Sequence, residues 1–235
     1  AKAASNYMSI PFYRYIGGVS SCKLPIPLVN IINGGAHANN KLNFQEFMLA
    51  PIGAACFSDA IRWVSEIFNN LKIILSEKAL SISVGDEGGF APDIVSNNEA
   101  IEYLLRATES SGYKAGQDIM ISLDAASSEF YKNNFYKPTY NGKALNSDEM
   151  ISYYKDLCNK YPIYSIEDGM SEDDWSGWNS LTKSIGDDVL TVGDDLFVTN
   201  TDRLSKGILE KSANAILIKP NQIGTLTETL NAVNL

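Results

Sequence analysis

Four ionisable residues in the second half of the chain each stand at the end of a short apolar run. They are Asp124 in SLDAA, Glu167 in SIEDG, Asp194 in VGDDL and Lys219 in LIKPN. Three carboxylates around one cavity repel one another unless a cation lies between them, and oxygen ligands favour a hard ion such as Mg²⁺. An ammonium group loses hydration at such a position, so it must be paired, shifted in pKa or used in chemistry. The pattern indicates a Mg²⁺ site beside a lysine.

Helix capping offers a second interpretation of each acid. A carboxylate directly after a strand often caps the helix that follows, and Asp is common in this role. Glu167 fits the role poorly, because Glu is not among the preferred capping residues. Recurrence at three successive runs, with a lysine after the fourth, favours a shared cavity over three independent caps.

A second polar group lies in the first half of the chain. The stretch INGGAHANNKLNFQEFM carries His37, the only histidine, and the polar pair Gln45 and Glu46 inside an otherwise apolar strand. VGDEGGFAP then sets Glu87 beside two glycines, which permit positive φ and close approach of the backbone to a ligand. The plainer interpretation is that the glycines form turns, that His37 is an ordinary loop residue and that Glu46 is a solvated strand residue.

Short apolar runs alternate with amphipathic segments along most of the chain. Helical spacing predicts helices at residues 58–77, 98–111, 147–161 and 171–185, and β-branched runs predict strands at 119–123, 163–166, 189–192 and 215–218. Parallel strands need such helical crossovers, and barrel enzymes carry their chemistry at the carboxyl ends of the strands. The sequence therefore predicts an α/β chain built as a β/α barrel, in which the four strand-end residues converge on one cavity.

Composition limits the classes of function. The 235 residues are 45% hydrophobic, enough for a large core, and the formal net charge of −9 argues against a nucleic-acid or anionic-membrane surface. The three cysteines, Cys22, Cys56 and Cys158, are widely separated, which favours a reduced setting over a disulfide scaffold. Neither a signal peptide nor a membrane span is visible in the sequence. We therefore expect a cytoplasmic protein with neither a nucleic-acid partner nor a membrane span.

Seven motifs in order along the chain resemble the enolase family. They are NGGAHA, FQEFMLAP, VGDEGGFAP, LDAASSEFY, YSIEDGMSEDDWSGW, VGDDLFVTN and IKPNQIGTLTET. The resemblance implies a lyase of glycolysis, phosphopyruvate hydratase, which reversibly dehydrates 2-phospho-D-glycerate to phosphoenolpyruvate with Mg²⁺. It also implies an enolase-type, TIM-like barrel whose second strand, here QEFM, runs antiparallel to the others, and a full-length enzyme that is a homo-oligomer.

The resemblance also implies a role for each candidate residue. The metal ligands of the family match Asp124, Glu167 and Asp194, in agreement with the strand-end pattern. Lys219 matches the base that removes the proton from carbon 2, and Glu87 matches the acid that assists departure of the carbon-3 hydroxyl. The substrate pocket matches His37, Gln45, Glu46 and Lys219. We expect burial and nearby Mg²⁺ to lower the pKa of Lys219, and nearby carboxylates to keep Glu87 protonated.

The resemblance further implies how the chain divides. Residues 1–22 resemble the end of an N-terminal domain and its junction, and residues 23–235 resemble a catalytic barrel without its last strands, so we expect this segment alone to be inactive. Two other readings stay open. One is a different metal-dependent enolising enzyme with another acid substrate, and the other is a non-enzymatic binding role on a cell surface.

Overall fold

An open, six-stranded sheet forms the centre of the protein, and the computed structural model describes all of residues 1–235. The six strands are β1 (Val29–Asn33), β2 (Glu46–Ala50), β3 (Met120–Asp124), β6 (Ile163–Glu167), β7 (Leu190–Gly193) and β8 (Ala215–Ile216). They lie side by side in the order β1-β2-β3-β6-β7-β8. A separate hairpin is formed by β4 (Tyr131–Lys132) and β5 (Phe135–Tyr136).

The sheet is parallel except at β2. This strand pairs antiparallel with both β1 and β3, whereas the β3–β6, β6–β7 and β7–β8 pairs are all parallel. The expected antiparallel strand near the start is thereby confirmed. A closed barrel of this type has eight strands. Since β1 and β8 are the two edges of a six-stranded sheet, the predicted incomplete α/β barrel is also confirmed.

Helices precede, connect and follow the strands of the sheet. They are α1 (Lys2–Tyr7), α2 (Phe12–Gly17), α3 (Phe57–Glu77), α4 (Asn97–Ser110), α5 (Ser147–Lys160), α6 (Trp175–Ile185), α7 (Thr201–Glu210), α8 (Pro220–Ile223) and α9 (Leu226–Asn234), with short 3₁₀ turns at Gly18–Ser20, Gly35–His37 and Ser127–Phe130. No helix combines the length and the apolar character needed to cross a bilayer. The four predicted helices all form, although α6 begins four residues later than predicted because Asp174 caps it.

The helix caps are residues other than the strand-end acids. The side chain of Asn146 caps α5, Asp174 caps α6 and Asn200 caps α7. Each cap comes after the loop that follows its strand, so the helix starts several residues beyond the acid. The capping interpretation of Asp124, Glu167 and Asp194 is therefore wrong, and their carboxylates are available for another role.

Strand alternation divides the side chains between the core and the opposite face. On β2, Phe47 and Leu49 are fully buried in the hydrophobic core, whereas Glu46 and Met48 line a cavity. Successive side chains of a strand point to opposite faces, so this division is expected. Burying a side chain such as Phe47 or Leu49 contributes about 1.5–3 kcal/mol to folding. Because Phe47 and Leu49 pack into the core, Glu46 and Met48 must face the cavity.

Candidate active site

A cavity of about 450 Å³ opens at the carboxyl ends of the parallel strands. Its lining includes all eight residues predicted from the sequence: His37, Gln45, Glu46, Glu87, Asp124, Glu167, Asp194 and Lys219. Residues as far apart in sequence as His37 and Lys219 therefore share one space. The convergence follows from the topology, because parallel strands end at the same edge of the sheet and β2 begins there.

Strand register sets the positions of the acids. Asp124 is the last residue of β3 and is paired directly with Glu46 of β2 on one side and with Glu167 of β6 on the other. Asp194 follows β7 by one residue. Asp124 and Asp194 are only 5% and 6% exposed, so both carboxylates have lost nearly all contact with bulk water.

Amides and an ammonium group surround these carboxylates. Gln45 donates from Nε2 to Oδ2 of Asp124 at 3.1 Å, and the Ala126 amide donates to Oδ1 at 2.9 Å. Oδ1 of Asp194 accepts from Nε2 of Gln222 at 2.9 Å, and its Oδ2 pairs with Nζ of Lys219. Gln45, which was expected to contact substrate, is thus bonded to a predicted metal ligand.

Burial and mutual repulsion raise the pKa of the acids. Burial is the larger cause for Asp124, whose pKa is raised well above its usual value, and the charge of Glu167 adds to it. Burial, followed by the charges of Asp168 and Asp194, raises the pKa of Glu167 to about 8. Buried carboxylates in this state need protons or a cation to balance them. The oxygen-rich donor set therefore fits a hard divalent cation.

The spacing of the oxygen atoms differs from the predicted ligand set. Asp168, Asp194 and Asp195 each offer an oxygen within 4.8 Å of the other two. The predicted ligands Asp124, Glu167 and Asp194 do not form so close a group. Asp194 is drawn toward Lys219, and the ammonium group also feels the charges of Glu167 and Asp124. The lysine thus supplies part of the positive charge that the acids require.

Lys219 is held by its backbone as well as by its side chain. It precedes α8, and its amide donates to Oγ1 of Thr199 at 2.8 Å. Burial works to lower the pKa of Lys219, but the hydrogen bond and charge of Asp194 outweigh it, so the net pKa is raised. The expectation of a lowered pKa is therefore wrong for the protein groups by themselves.

His37, Glu46 and Glu87 form a second polar cluster across the cavity. Their ligand atoms lie within 4.8 Å of one another, and Nδ1 of His37 is 2.9 Å from Oε2 of Glu87. Burial first, and then the contact with Glu87, raises the pKa of Glu46 to about 9. At Glu87 burial also acts to raise the pKa, but hydrogen bonds to Glu46 and His37 outweigh it, so the pKa of Glu87 is lowered. Of the two carboxyl groups, Glu46 is therefore the one that favours the protonated form, whereas the expectation placed the proton on Glu87.

The loop that carries Glu87 is anchored on the buried Asn33. Oδ1 of Asn33 accepts from the Gly89 amide at 2.9 Å, and its Nδ2 lies 3.4 Å from Oε2 of Glu87. A Cβ atom at Gly89 would stand 2.9 Å from that Oδ1 and 3.0 Å from the backbone of Ile31 and Ile32. Glycine is thus required there for close approach, as the DEGG motif indicates.

A comparison with known protein families gives the family of the chain. Residues 21–235 match the family model described as Enolase, C-terminal TIM barrel domain. The chain belongs to this family. It is therefore a member of the enolase superfamily, whose enzymes enolise small-molecule substrates. Enzymes of this superfamily combine a Lys or His base with one or two Mg²⁺ ions, and the cavity of this chain brings a lysine together with several carboxylates.

Sequence reasoning missed several residues of the cavity. Asp168, Asp195, Gln222 and Glu129 also line it, and Asn33 supports it from behind. Asp168 and Asp195 each follow a predicted ligand directly in sequence, and this doubling of acids in EDG and GDDL was the available signal. Gln222 lies three residues after Lys219 in the short helix α8, which turns its amide back toward Asp194.

Proposed function

We propose that the protein is an enolase, a hydro-lyase of glycolysis that interconverts 2-phospho-D-glycerate and phosphoenolpyruvate. The observation that carries the proposal is the meeting, in one cavity, of Lys219 with the closely spaced carboxyl groups of Glu46 and Glu87. A lysine is suited to remove the carbon-2 proton, and a carboxylic acid is suited to protonate a departing hydroxyl. The NQIGT and GDEGG motifs favour enolase over other enolising enzymes.

Asp124, Glu167 and Asp194 are the residues that would hold Mg²⁺. A bound Mg²⁺ supplies positive charge that offsets the negative charge developing on the substrate carboxylate when the adjacent proton leaves. The raised pKa of Asp124 and Glu167 supports the assignment, because both acids lack a balancing charge of their own.

Lys219 is the proposed base. In the reaction its Nζ accepts the proton from carbon 2, so it must first be neutral. Pairing with Asp194 favours the charged ammonium. Lys219 can therefore lose its proton and act as a base only when its contact with Asp194 is weakened. The Gln222 amide, bonded to the second carboxylate oxygen of Asp194, can hold that side chain in place during this change.

Glu46 and Glu87 are the proposed acid pair. The hydroxyl at carbon 3 leaves as water after it receives one proton from this pair. The raised pKa of Glu46 favours its protonated form at rest, and Glu87 is the more exposed partner beside His37. Glu87 thus remains the proposed donor to the substrate, with its proton supplied by Glu46. His37 and Gln45 complete the proposed substrate pocket.

The test uses the longest natural form of the protein that contains these residues and a substrate deuterated at carbon 2. Lys219→Ala should reduce both deuterium exchange with solvent and product formation by about 10²–10⁴-fold. Glu87→Gln should block product formation yet retain exchange, because the proton leaves but the hydroxide does not. Asp194→Ala should lose both, and the exposed control Lys183→Ala should lose neither.

Two results would refute the proposal. Exchange that survives in Lys219→Ala but not in Glu87→Gln would reverse the two roles. A protein that exchanges the α-proton of another acid, but never that of 2-phosphoglycerate, would be a different enolising enzyme of the same superfamily.

We further propose that residues 1–22 belong to a domain distinct from the barrel at 23–235. Ser5 is the only buried residue before Ile31, so this segment adds nothing to the hydrophobic core. We also propose that the enzyme acts in the cytoplasm as a homo-oligomer, in line with its family resemblance.

A further inference from the structure

We propose that Asp168 is a positioning residue that fixes the turn carrying Asp194 and so aims that carboxylate into the cavity. The inference rests on the proposed function, in which Asp194 is a metal ligand. Asp168 directly follows Glu167, yet no role for it follows from the sequence or from the proposed reaction.

Both carboxylate oxygens of Asp168 are engaged by backbone amides. Oδ1 accepts from the Asp194 amide at 3.0 Å, and Oδ2 accepts from the Asp195 amide at 2.9 Å. Asp168 is only 5% exposed, so water does not compete for these bonds. When Asp168 is ionised, these hydrogen bonds are charge-assisted and contribute more than neutral ones. The end of β7 is therefore clamped by a side chain from the end of β6.

Backbone hydrogen bonds of Asp168 link the ends of β3, β6 and β7. Its amide donates to the carbonyl of Val192 on β7 at 2.9 Å, and its carbonyl accepts from the amide of Ser127, beyond β3, at 3.0 Å. One residue thus bonds to the chain after β3 and to β7 while it extends β6. Asp124, Glu167 and Asp194 stand at these strand ends, so Asp168 connects the supports of all three.

The conformation of Asp168 is an unusual one for this task. Its φ is +43°, in the left-handed region that costs a non-glycine residue about 1–3 kcal/mol. This conformation turns the side chain toward β7 directly after Glu167. The bonds to two amides offset its cost. With its backbone held, Asp194 can use both of its own oxygens inside the cavity, where Gln222 and Lys219 now contact them.

Two substitutions distinguish the contribution of the Asp168 carboxylate from that of its backbone conformation. Asp168→Gly deletes the carboxylate without strain, since glycine readily adopts positive φ. Asp168→Asn keeps one acceptor oxygen and a side chain that tolerates this conformation. The matched control is Val189→Ala, a buried change at the opposite end of β7 from Asp194 that lowers stability without touching the clamp.

The first measurement is hydrogen exchange of individual amides in chelator. In Asp168→Gly each of the Asp194 and Asp195 amides loses one hydrogen bond of about 1.4 kcal/mol, so both should exchange at least about tenfold faster. Asp168→Asn should speed the exchange of mainly one of them. Unchanged protection of both amides in Asp168→Gly overturns the inference. This readout needs no metal, so it stands apart from the proposed reaction.

The second measurement is the affinity for Mn²⁺, used as a spectroscopic probe. Outer residues that orient ligands typically change metal affinity by about 10–100-fold. Asp168→Gly should weaken Mn²⁺ binding within that range, Asp168→Asn should recover part of it, and Val189→Ala should leave it unchanged. An equal loss in Val189→Ala would reduce Asp168 to a general structural role and overturn the inference. A wild-type protein that binds no Mn²⁺ would instead refute the proposed metal site.

Discussion

Removal of divalent cations should make the stability of the protein fall as the pH rises from 6 to 8. A carboxyl group whose pKa is raised on folding binds its proton more tightly in the folded chain than in the unfolded chain. That contribution is fully present below the unfolded pKa of about 4 and is lost as the pH rises through the folded pKa. Burial first, and then nearby acids, set the pKa of Glu167 at about 8, and burial is also the main cause of the value of about 7 at Asp168.

Glu167 and Asp168 set a minimum for the size of the effect, because the raised pKa of Glu46, about 9, and that of Asp124 change the stability in the same direction. Between pH 8 and pH 6 the folded Asp168 takes up its proton and adds about 1.4 kcal/mol to the free energy of unfolding, and Glu167 adds about 2 kcal/mol. The charge of Asp168 is one reason for the raised pKa of Glu167. Because protonation of one therefore relieves the other, we expect a combined gain of about 2–3 kcal/mol.

The assay is urea unfolding in EDTA at pH 6, 7 and 8 and constant ionic strength. Fluorescence of the fully buried Trp178 should report the transition. Glu167→Gln should remove the share of the pH dependence that belongs to Glu167, while the exposed control Asp188→Asn should retain the full slope. The carboxylates with lowered pKa, such as Glu102 and Glu149, titrate below this window and do not obscure it.

Added Mg²⁺ should reverse the loss at high pH. A ligand at 100 times its dissociation constant stabilises the folded state by about 2.7 kcal/mol. Protons compete for the same oxygens, so the gain should be smaller at pH 6 than at pH 8. Stability that is flat or rises with pH in EDTA, or a gain from Mg²⁺ that is equal at both pH values, would contradict the assignment of these acids.

Two further predictions concern a buried tyrosine hydroxyl and a helix cap. Tyr136 is fully buried, and its hydroxyl donates to Oδ2 of Asp174 at 2.8 Å and accepts from the Ser171 amide at 3.1 Å. Tyr136→Phe should lower the free energy of unfolding in urea by about 1–3 kcal/mol, because it leaves the Ser171 amide unpaired. An unchanged midpoint would show that water replaces the hydroxyl. Asn146 and Glu149 form a capping box at the start of α5, so Asn146→Ala should cost about 1 kcal/mol by the same measurement, and Asn146→Ser should restore most of it. Equal losses in both variants would exclude the cap as the cause.

Local pattern was sufficient to predict most of the fold. Helical spacing located α3, α4 and α5 to within a residue at each end, and the apolar runs located β3, β6 and β7 equally well. The predicted strand at 215–218 forms only at Ala215–Ile216, on the open edge of the sheet, where there is no further strand to extend its pairing. The antiparallel direction of β2 came from the family resemblance alone, because direction leaves no mark on periodicity.

For the site, the residue types could be predicted from the sequence, whereas their protonation states could not. The residue types and their places after strands were readable in the sequence, since strand ends in a parallel sheet must meet at one edge, and all eight candidates do line the cavity. Which group holds a proton was not readable. That depends on burial and on distances between residues remote in sequence, such as Glu46 to Glu87 or Lys219 to Asp194, because desolvation and Coulomb interactions act through space. The clamp of Asp168 on β7 is likewise a product of tertiary structure, since two hydrogen bonds across 26 and 27 residues exist only once β6 and β7 are paired.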